Sequence, residues 1–314
     1  MRFATFLHDG RRQSGVVVDD KVHPFEVPAG LLEFVKAGED TLRTAAEDAL
    51  TGTTPLPLAE VRLLPPLQPP TVRDFVTFER HMEGMARGHG DTVPEEWYAA
   101  PTFYFSNPYA VIGAHDDVPV PPSCERFDFE LEVAAVVGKS GRNLSPAQAR
   151  EHIIGYTILN DWSARDLQGP EMSVGLGPAK GKDSATTLGP WLVTADELEP
   201  HRTADGFLDL HLTVEVNGTT IGQDRLANMA WTFEEMLAYA SRGTQVRPGD
   251  VLGSGTCGNG GCLAELWGRR HVPEPPPLAP GDTVTMTVQG IGTISNTVVE
   301  GVPPIPVPRA RHRR

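Results

Sequence analysis

The segment that most limits how this chain can fold is Phe127-Asp128-Phe129-Glu130-Leu131-Glu132-Val133-Ala134-Ala135-Val136-Val137-Gly138. Branched and aromatic residues run up to a closing glycine, the composition of a β-strand. Alternate residues of a strand share a face, so Glu130 and Glu132 point the same way, roughly 7 Å apart. Two carboxylates on one face repel unless positive charge lies between them, and a hard divalent cation that takes oxygen ligands meets that need. A solvated polar face is the simpler reading of Glu-x-Glu taken alone. The run from Val133 to Val137 is too apolar for an exposed edge, however. It directs both acids into a buried space, where they need a partner.

Composition narrows the class. A chain of 314 residues with 39% hydrophobic content suffices for one large domain and a small one. The 32 glycines and 29 prolines favour short strands and turns over a helical bundle. A net charge of -14 argues against nucleic acid or an anionic membrane as partner. Cys124, Cys257 and Cys262 form no Cys-x-x-Cys pair and fit a reducing cytoplasm better than a disulfide framework. Each reads as a small inert hydrophobe, with partial exposure open to Cys257 and Cys262 in their glycine-rich loop. No run of about 18 apolar residues occurs, and the start lacks the apolar core of a signal peptide. A soluble cytoplasmic protein is expected.

Along the chain, residues 1–65 read as a small leading unit, with short strands at Phe3–Phe6 and Gly15–Val18 and a helical segment over about Leu31–Leu50. The proline-rich Leu63-Leu64-Pro65-Pro66-Leu67-Gln68-Pro69-Pro70 marks a boundary. The larger unit, 66–302, includes a helix predicted from its N-cap Ser145 and Pro146 to a stop at Gly155. Strand Tyr156–Leu159 follows and runs into Asn160-Asp161-Trp162-Ser163-Ala164-Arg165-Asp166. Asn217-Gly218 predicts a tight hairpin; Thr232 with Glu235 predicts a capping box. Residues 303–314 are expected to form a disordered basic tail. The sum is a β-rich domain with a few short helices, of the sandwich or open-barrel kind.

Asp74, Glu130, Glu132 and Asp161 are the acids in pointed places, and a set of carboxylates without cysteine suits Mg²⁺, Mn²⁺ or Ca²⁺ better than zinc. His81, shortly after Asp74, is a candidate general base, against the simpler reading of a surface or hydrogen-bonded histidine. Pairing it with His89 as a zinc site is rejected, because that spacing shares neither a helical nor a strand face. Lys182 lies in a glycine-flanked loop that would let its amine approach an anion; a solvated lysine is the alternative. Glu265, an acid among apolar neighbours, needs a partner such as His81 unless it faces outward from a strand. Gly253-Ser254-Gly255-Thr256-Cys257-Gly258 matches a dinucleotide fingerprint formally, but it is followed by Asn259-Gly260-Gly261 and no helix is expected there. A mobile or backbone-exposing loop near the pocket is expected instead.

Taken in order, Asp128-Phe129-Glu130-Leu131-Glu132, Asn160-Asp161-Trp162-Ser163-Ala164-Arg165-Asp166-Leu167-Gln168, Gly181-Lys182, Gly189-Pro190-Trp191, Pro248-Gly249-Asp250 and Gly255-Thr256 resemble the fumarylacetoacetate hydrolase family, over roughly Asp74 to Val298. The resemblance implies a β-rich α+β fold, with a mixed β-roll C-terminal domain, a small β-rich N-terminal domain and a homodimeric state. It implies Asp74, Glu130, Glu132 and Asp161 as ligands of a divalent cation, Mg²⁺ first. His81 would be the general base oriented by Glu265. Arg165, Gln168 and Lys182 would contact substrate or stabilise developing charge, and Tyr104 and Thr256 would line the pocket. The implied reaction is hydrolysis of a carbon–carbon bond in a 1,3-dicarbonyl or acylpyruvate. The alternative is decarboxylation or keto–enol isomerisation of a 2-oxo acid through the same enolate. Two departures bear on this. Val76 stands where the hydrolases carry a tyrosine. Gly84 stands where many smaller bacterial relatives carry a glutamate, which moves the histidine's expected partner to Glu265.

Overall fold

The computed structural model describes residues 1–311, so residues 312–314 of the expected basic tail lie outside the described residues. Residues 303–311 carry no regular secondary structure and are exposed. A twelve-stranded mixed sheet dominates the fold. Five of its neighbouring strands are Ile153–Asp161, Leu131–Val137, Val251–Gly253, Val72–Phe75 and Phe103–Ser106, in that spatial order. A five-stranded sheet, containing His211–Val216, Thr283–Val288 and Gly292–Val299, packs beside it. The fold is thus a sheet-rich α+β arrangement with no closed barrel.

The strand expected over the whole Glu-x-Glu segment is interrupted. Phe127–Asp128 pairs with Ser163–Ala164, and a separate strand resumes at Leu131. At the break, the Glu130 amide donates to the side chain of Asn160 at 2.9 Å, so the Asn160-Asp161 pair fastens the segment from its neighbour. Beyond the break, the strand is buried on both faces, which explains its unbroken apolar run. Leu131, Val133, Ala135 and Val137 join the main core with Trp162, Phe233 and Met286. Ala134 and Val136 pack with Phe3, Leu31, Leu192 and Val251. Residues of the leading unit therefore cover the same strand face that carries Glu132 one step earlier. Strand Arg2–His8 also joins the large sheet directly, pairing Phe3 with Leu192.

Three local expectations differ in detail. The helical segment after Leu31 is two helices, Leu31–Ala37 and Glu39–Gly52, separated at Gly38, whose φ of 107° lies outside the helical region. The helix begun by the Ser145 capping box ends at Ala149, well before Gly155. Gly155 belongs to the strand Ile153–Asp161, where a Cβ would lie 2.2 Å from the Val193 carbonyl oxygen. It is a close-approach glycine, not a helix stop. Lastly, Leu263–Arg270 is a helix beginning soon after the glycine-rich loop. Its first amides, Leu263 and Ala264, donate to the Asp128 carboxylate at 2.8 and 3.0 Å, so an internal acid already takes the place a phosphate would need. The Ser254–Cys257 segment and Cys262 are buried, so the loop is not mobile, and Cys257 and Cys262 are the small buried hydrophobes expected, without the partial exposure left open for them.

Candidate active site

Parallel pairing aligns Gly253 with Asp74, and antiparallel pairing aligns Asp74 with Tyr104. On the other side of Gly253, Ala134 is its register partner, two residues from Glu132. This row brings Asp74 and Glu132 over a position without a side chain. A Cβ on Gly253 would stand 2.6 Å from Asp74 Oδ1 and 2.8 Å from Glu132 Oε2. Gly253 is a site residue that sequence reasoning missed. Its only signal was the glycine-rich motif already set aside as a nucleotide fingerprint. The next glycine, Gly255, has φ 78° and would place a Cβ 2.3 Å from the Phe75 carbonyl oxygen, while its amide donates to Glu132 Oε2 at 3.1 Å. Thr256 is buried in the same segment.

The acids predicted as one set are brought together. Asp74, Glu130 and Glu132 each offer an oxygen within 4.8 Å of the others. Asp161 joins through Lys182, whose Nζ is 2.5 Å from Glu130 Oε2 and 2.8 Å from Asp161 Oδ2. The Tyr104 hydroxyl stands between Asp74 and Asp161, 2.7 Å from Asp74 Oδ2, and can donate to either. It touches the acids themselves, a more specific place than the pocket wall expected for it.

Charge in this cluster is unbalanced. Burial, then Asp161, pushes Asp74 up to about 8. Glu132 is raised well above the usual carboxylate range by burial and Asp74, and Asp161 is raised chiefly by burial. Glu130 is the exception: burial opposes ionisation, but Lys182 and Arg165 overcome it and hold the group at about 2. Asp74 Oδ1, Glu132 Oε1 and Asp161 Oδ1 are buried without a hydrogen-bond partner. Orphaned oxygens around a glycine-made gap fit a hard divalent cation, which supplies ligation and positive charge together.

Arg165 and Gln168 are also present at the site, with a different division of labour from that expected. The Arg165 guanidinium pairs with Asp128 at 2.8 Å and Glu130 at 2.7 Å, and donates to Gln168 Oε1 at 3.1 Å. Its Nε and Nη1 donate to Asp128 and Gln168, and Nη2 is held in ion pairs with Asp128 and Glu130. Asp128, which sequence reasoning did not select, thereby ties the N-terminus of helix Leu263–Arg270 to a carboxylate of the cluster.

His81 lies in the first turn of helix Glu79–His89. Burial lowers its pKa to about 4, leaving a neutral imidazole at neutral pH. Its Nδ1 is 4.0 Å from Glu265 Oε2 and 3.8 Å from Cys262 Sγ. The expected partner is therefore adjacent but short of a hydrogen bond. Glu265 lies on a helix and is fully buried. It accepts from the Asn259 amide at 3.0 Å and the Gly260 amide at 3.3 Å, and pairs with Arg269 at 2.5 Å. Burial raises it to about 7 against the opposing charge of Arg269. The two helices meet through glycines. A Cβ on Gly84 would lie 2.4 Å from Glu265 Cγ, and one on Gly268 would lie 2.1 Å from the Gly84 carbonyl oxygen. Gly84 thus vacates the volume that the Glu265 side chain uses.

The model of the family described as "Fumarylacetoacetate (FAA) hydrolase C-terminal" matches residues 71–299. The chain belongs to the fumarylacetoacetate hydrolase family. A second family model, "Rv2993c-like, N-terminal", matches residues 1–66. Among curated relatives, the bovine "Oxaloacetate tautomerase FAHD2A, mitochondrial" is 29% identical over 292 residues, covering 91% of this chain and 84% of the relative. Among solved structures, fumarylacetoacetate hydrolase from psychrophilic Exiguobacterium antarcticum matches with a TM-score of 0.75 and 26% identity over 96% of this chain and 99% of that one. Maleylpyruvate hydrolase from Sphingobium sp. SYK-6, solved with manganese(II) and pyruvate, matches with a TM-score of 0.72 and 23% identity. It covers 96% of this chain and 100% of that one, and shares the fold. Members of the fumarylacetoacetate hydrolase family are enzymes acting on small molecules. Among the described residues, no helix is long and apolar enough to cross a membrane.

Proposed function

We propose that the protein is a divalent-metal-dependent hydrolase that cleaves a carbon–carbon bond in an acylpyruvate or related 1,3-dicarbonyl. The observation that carries this reading is the buried His81–Glu265 pair standing beside an under-neutralised carboxylate cluster. Asp74, Glu130, Glu132 and Asp161 would hold the cation, with Mg²⁺ preferred and Mn²⁺ or Ca²⁺ as alternatives. When bound, such an ion supplies Lewis acidity and a template for two oxygens of a 2-oxo acid. The manganese and pyruvate of the Sphingobium relative support that chemistry.

This chain's own residues would do the rest. Neutral His81 takes a proton from water, and Glu265 receives the imidazolium that results once the pair closes from 4.0 Å. Water activated in this way attacks the ketone carbon; collapse of the tetrahedral oxyanion then breaks the carbon–carbon bond, giving a carboxylic acid and an enolate, and the imidazolium of His81 returns its proton to the enolate carbon. Lys182 carries a positive charge strengthened by Asp161 and Glu130 despite burial, and it meets the developing oxyanion. Gln168 is the adjacent neutral donor. Arg165 acts chiefly by holding Glu130 in place. Residues 66–302 form the catalytic unit, and residues 1–65 cover the sheet face behind it. We read the active form as a homodimer in a reducing compartment, with Cys124, Cys257 and Cys262 unpaired.

A second reading, keto–enol tautomerisation of an oxaloacetate-type acid, is favoured by the name of the bovine relative. It needs the same cation and one base, but consumes no water. The two are separated by assaying acylpyruvates, β-diketo acids and oxaloacetate with and without Mg²⁺ in isotopically heavy water. Hydrolysis places labelled oxygen in a product carboxylate, stoichiometric with cleavage. Enol–keto conversion without cleavage of any acylpyruvate would overturn the hydrolytic assignment; no turnover of any substrate would overturn both.

A further inference from the structure

One group beside the base has no part in the chemistry above: the thiol of Cys262. Cys262 Sγ lies 3.8 Å from His81 Nδ1. His81, Cys262 and Glu130 each offer a ligand atom within 4.8 Å of the other two. Tetrahedral zinc, with its usual bond lengths to sulfur and nitrogen, holds those two atoms about 3.5 Å apart. Closing the observed pair by a few tenths of an ångström therefore suffices. A nitrogen, a sulfur and one oxygen make a donor set of different character from the all-oxygen cluster next to it, and it selects zinc or cadmium over magnesium.

We propose that His81, Cys262 and Glu130 form a second metal site, specific for a thiophilic divalent cation, whose occupation arrests the enzyme. Cys262 is the N-cap of helix Leu263–Arg270, and the Glu265 amide donates to its sulfur at 3.4 Å, which fixes the sulfur beside His81. Burial, then Asp128, pushes the thiol well above its usual range, so the ion has to displace its proton. Binding expels the thiol proton to solvent, one per ion, and the thiolate, imidazole and carboxylate complete three positions. Glu130 already meets Arg165 and Lys182, one on each oxygen, but each carboxylate oxygen retains a second lone pair. With its ring held by the ion, His81 can no longer pass a proton between water and Glu265. The site thus couples the availability of soft metal ions to turnover.

The test uses Mg²⁺-loaded full-length protein and Cd²⁺ as probe, read by the ultraviolet thiolate-to-cadmium absorption band. The parent, Cys257→Ser and Cys124→Ser are expected to develop the band at one equivalent. Cys262→Ser, which preserves an N-capping side chain, is expected to lose it. His81→Ala leaves the thiol intact and is expected to weaken Cd²⁺ binding on the order of tenfold or more, since even outer partners of a metal site cost that much. Parent turnover should fall as the band grows. No band in the parent, a band that survives Cys262→Ser, or unchanged affinity in His81→Ala overturns the site. Full turnover with a saturated band overturns the arrest. The band requires no substrate, so it stands or falls separately from the hydrolase reading; only the arrest rests on His81 as base.

Discussion

The contact between Gly84 and Glu265 gives the most demanding prediction, because two opposing effects can be sized from the structure. Replacing Gly84 with alanine inside helix Glu79–His89 should gain about 1 kcal/mol from helix propensity. The new methyl would sit 2.4 Å from Glu265 Cγ and 3.2 Å from the Glu265 carbonyl oxygen. Forcing a carbon into a packed contact of this kind costs about 1–3 kcal/mol. The net is a loss of about 0–2 kcal/mol. Glu265→Ala removes Cγ and leaves the milder contacts with the Glu265 carbonyl oxygen at 3.2 Å and Arg269 Nε at 3.4 Å. In that background Gly84→Ala should become neutral or stabilising. A double-mutant cycle by urea unfolding should therefore give a coupling of about 1–3 kcal/mol, favourable in the double mutant. Turnover gives an independent check. A Glu265 pushed aside by the methyl cannot close on His81, and a misplacement of about 1 Å costs on the order of 10²-fold. Additive effects in the cycle, together with unaltered turnover of Gly84→Ala, would refute the claim that Gly84 makes room for the base's partner.

His81→Ala should lower kcat by about 10²–10⁴-fold while Mg²⁺ still raises the melting temperature as in the parent, because the imidazole is not among the oxygen ligands. Gly253→Ala should abolish that Mg²⁺-dependent rise, since its methyl would occupy the gap between Asp74 and Glu132; an undiminished rise would place the cation elsewhere. Glu265 predicts a pH dependence. Its folded-state pKa of about 7 lies above the ordinary 4.5, so the folded form holds the proton more tightly. The associated stability is fully present below about pH 4.5 and is lost as pH rises through about 7. Relative to Glu265→Gln, the parent should lose about 3 kcal/mol across that window, measured by denaturant melts at several pH values. Parallel pH profiles for the two proteins would remove the basis for a strained, buried acid at this position.

Much of the site was legible along the chain because its chemistry falls in short, ordered segments. The two glutamates before an apolar run demanded a buried partner of opposite charge, and the Asn160-Asp161 turn and the glycine-flanked Lys182 stood where side chains could reach the same pocket. That demand survives folding regardless of which strand lies beside which. The same segments carry the family resemblance, which supplied His81, Glu265 and Asp74 as members of one set. Motif reasoning misjudged what lies between those segments. The loop from Gly253 to Gly261 looked mobile or backbone-exposing, since glycine runs usually are. Here the glycines serve close approach: Gly253 to two carboxylates and Gly255 to the backbone of strand Val72–Phe75. Gly155 was read as a helix stop because glycine commonly ends helices, yet it too marks a neighbouring backbone.

By itself, then, the amino-acid order determined the composition of the candidate cluster: four carboxylates, a lysine, a histidine and a buried glutamate, with a sheet-rich framework to hold them. Charge and polarity are properties of single residues, and burying them sets a requirement that can be read without coordinates. Tertiary structure decided who satisfies that requirement. Arg165 is committed to Asp128 and Glu130, Tyr104 stands between two acids, and Cys262 comes to rest against His81. These pairings join residues far apart in the chain through sheet register and helix contact. Register and contact depend on which surfaces pack together, so no local pattern encodes them.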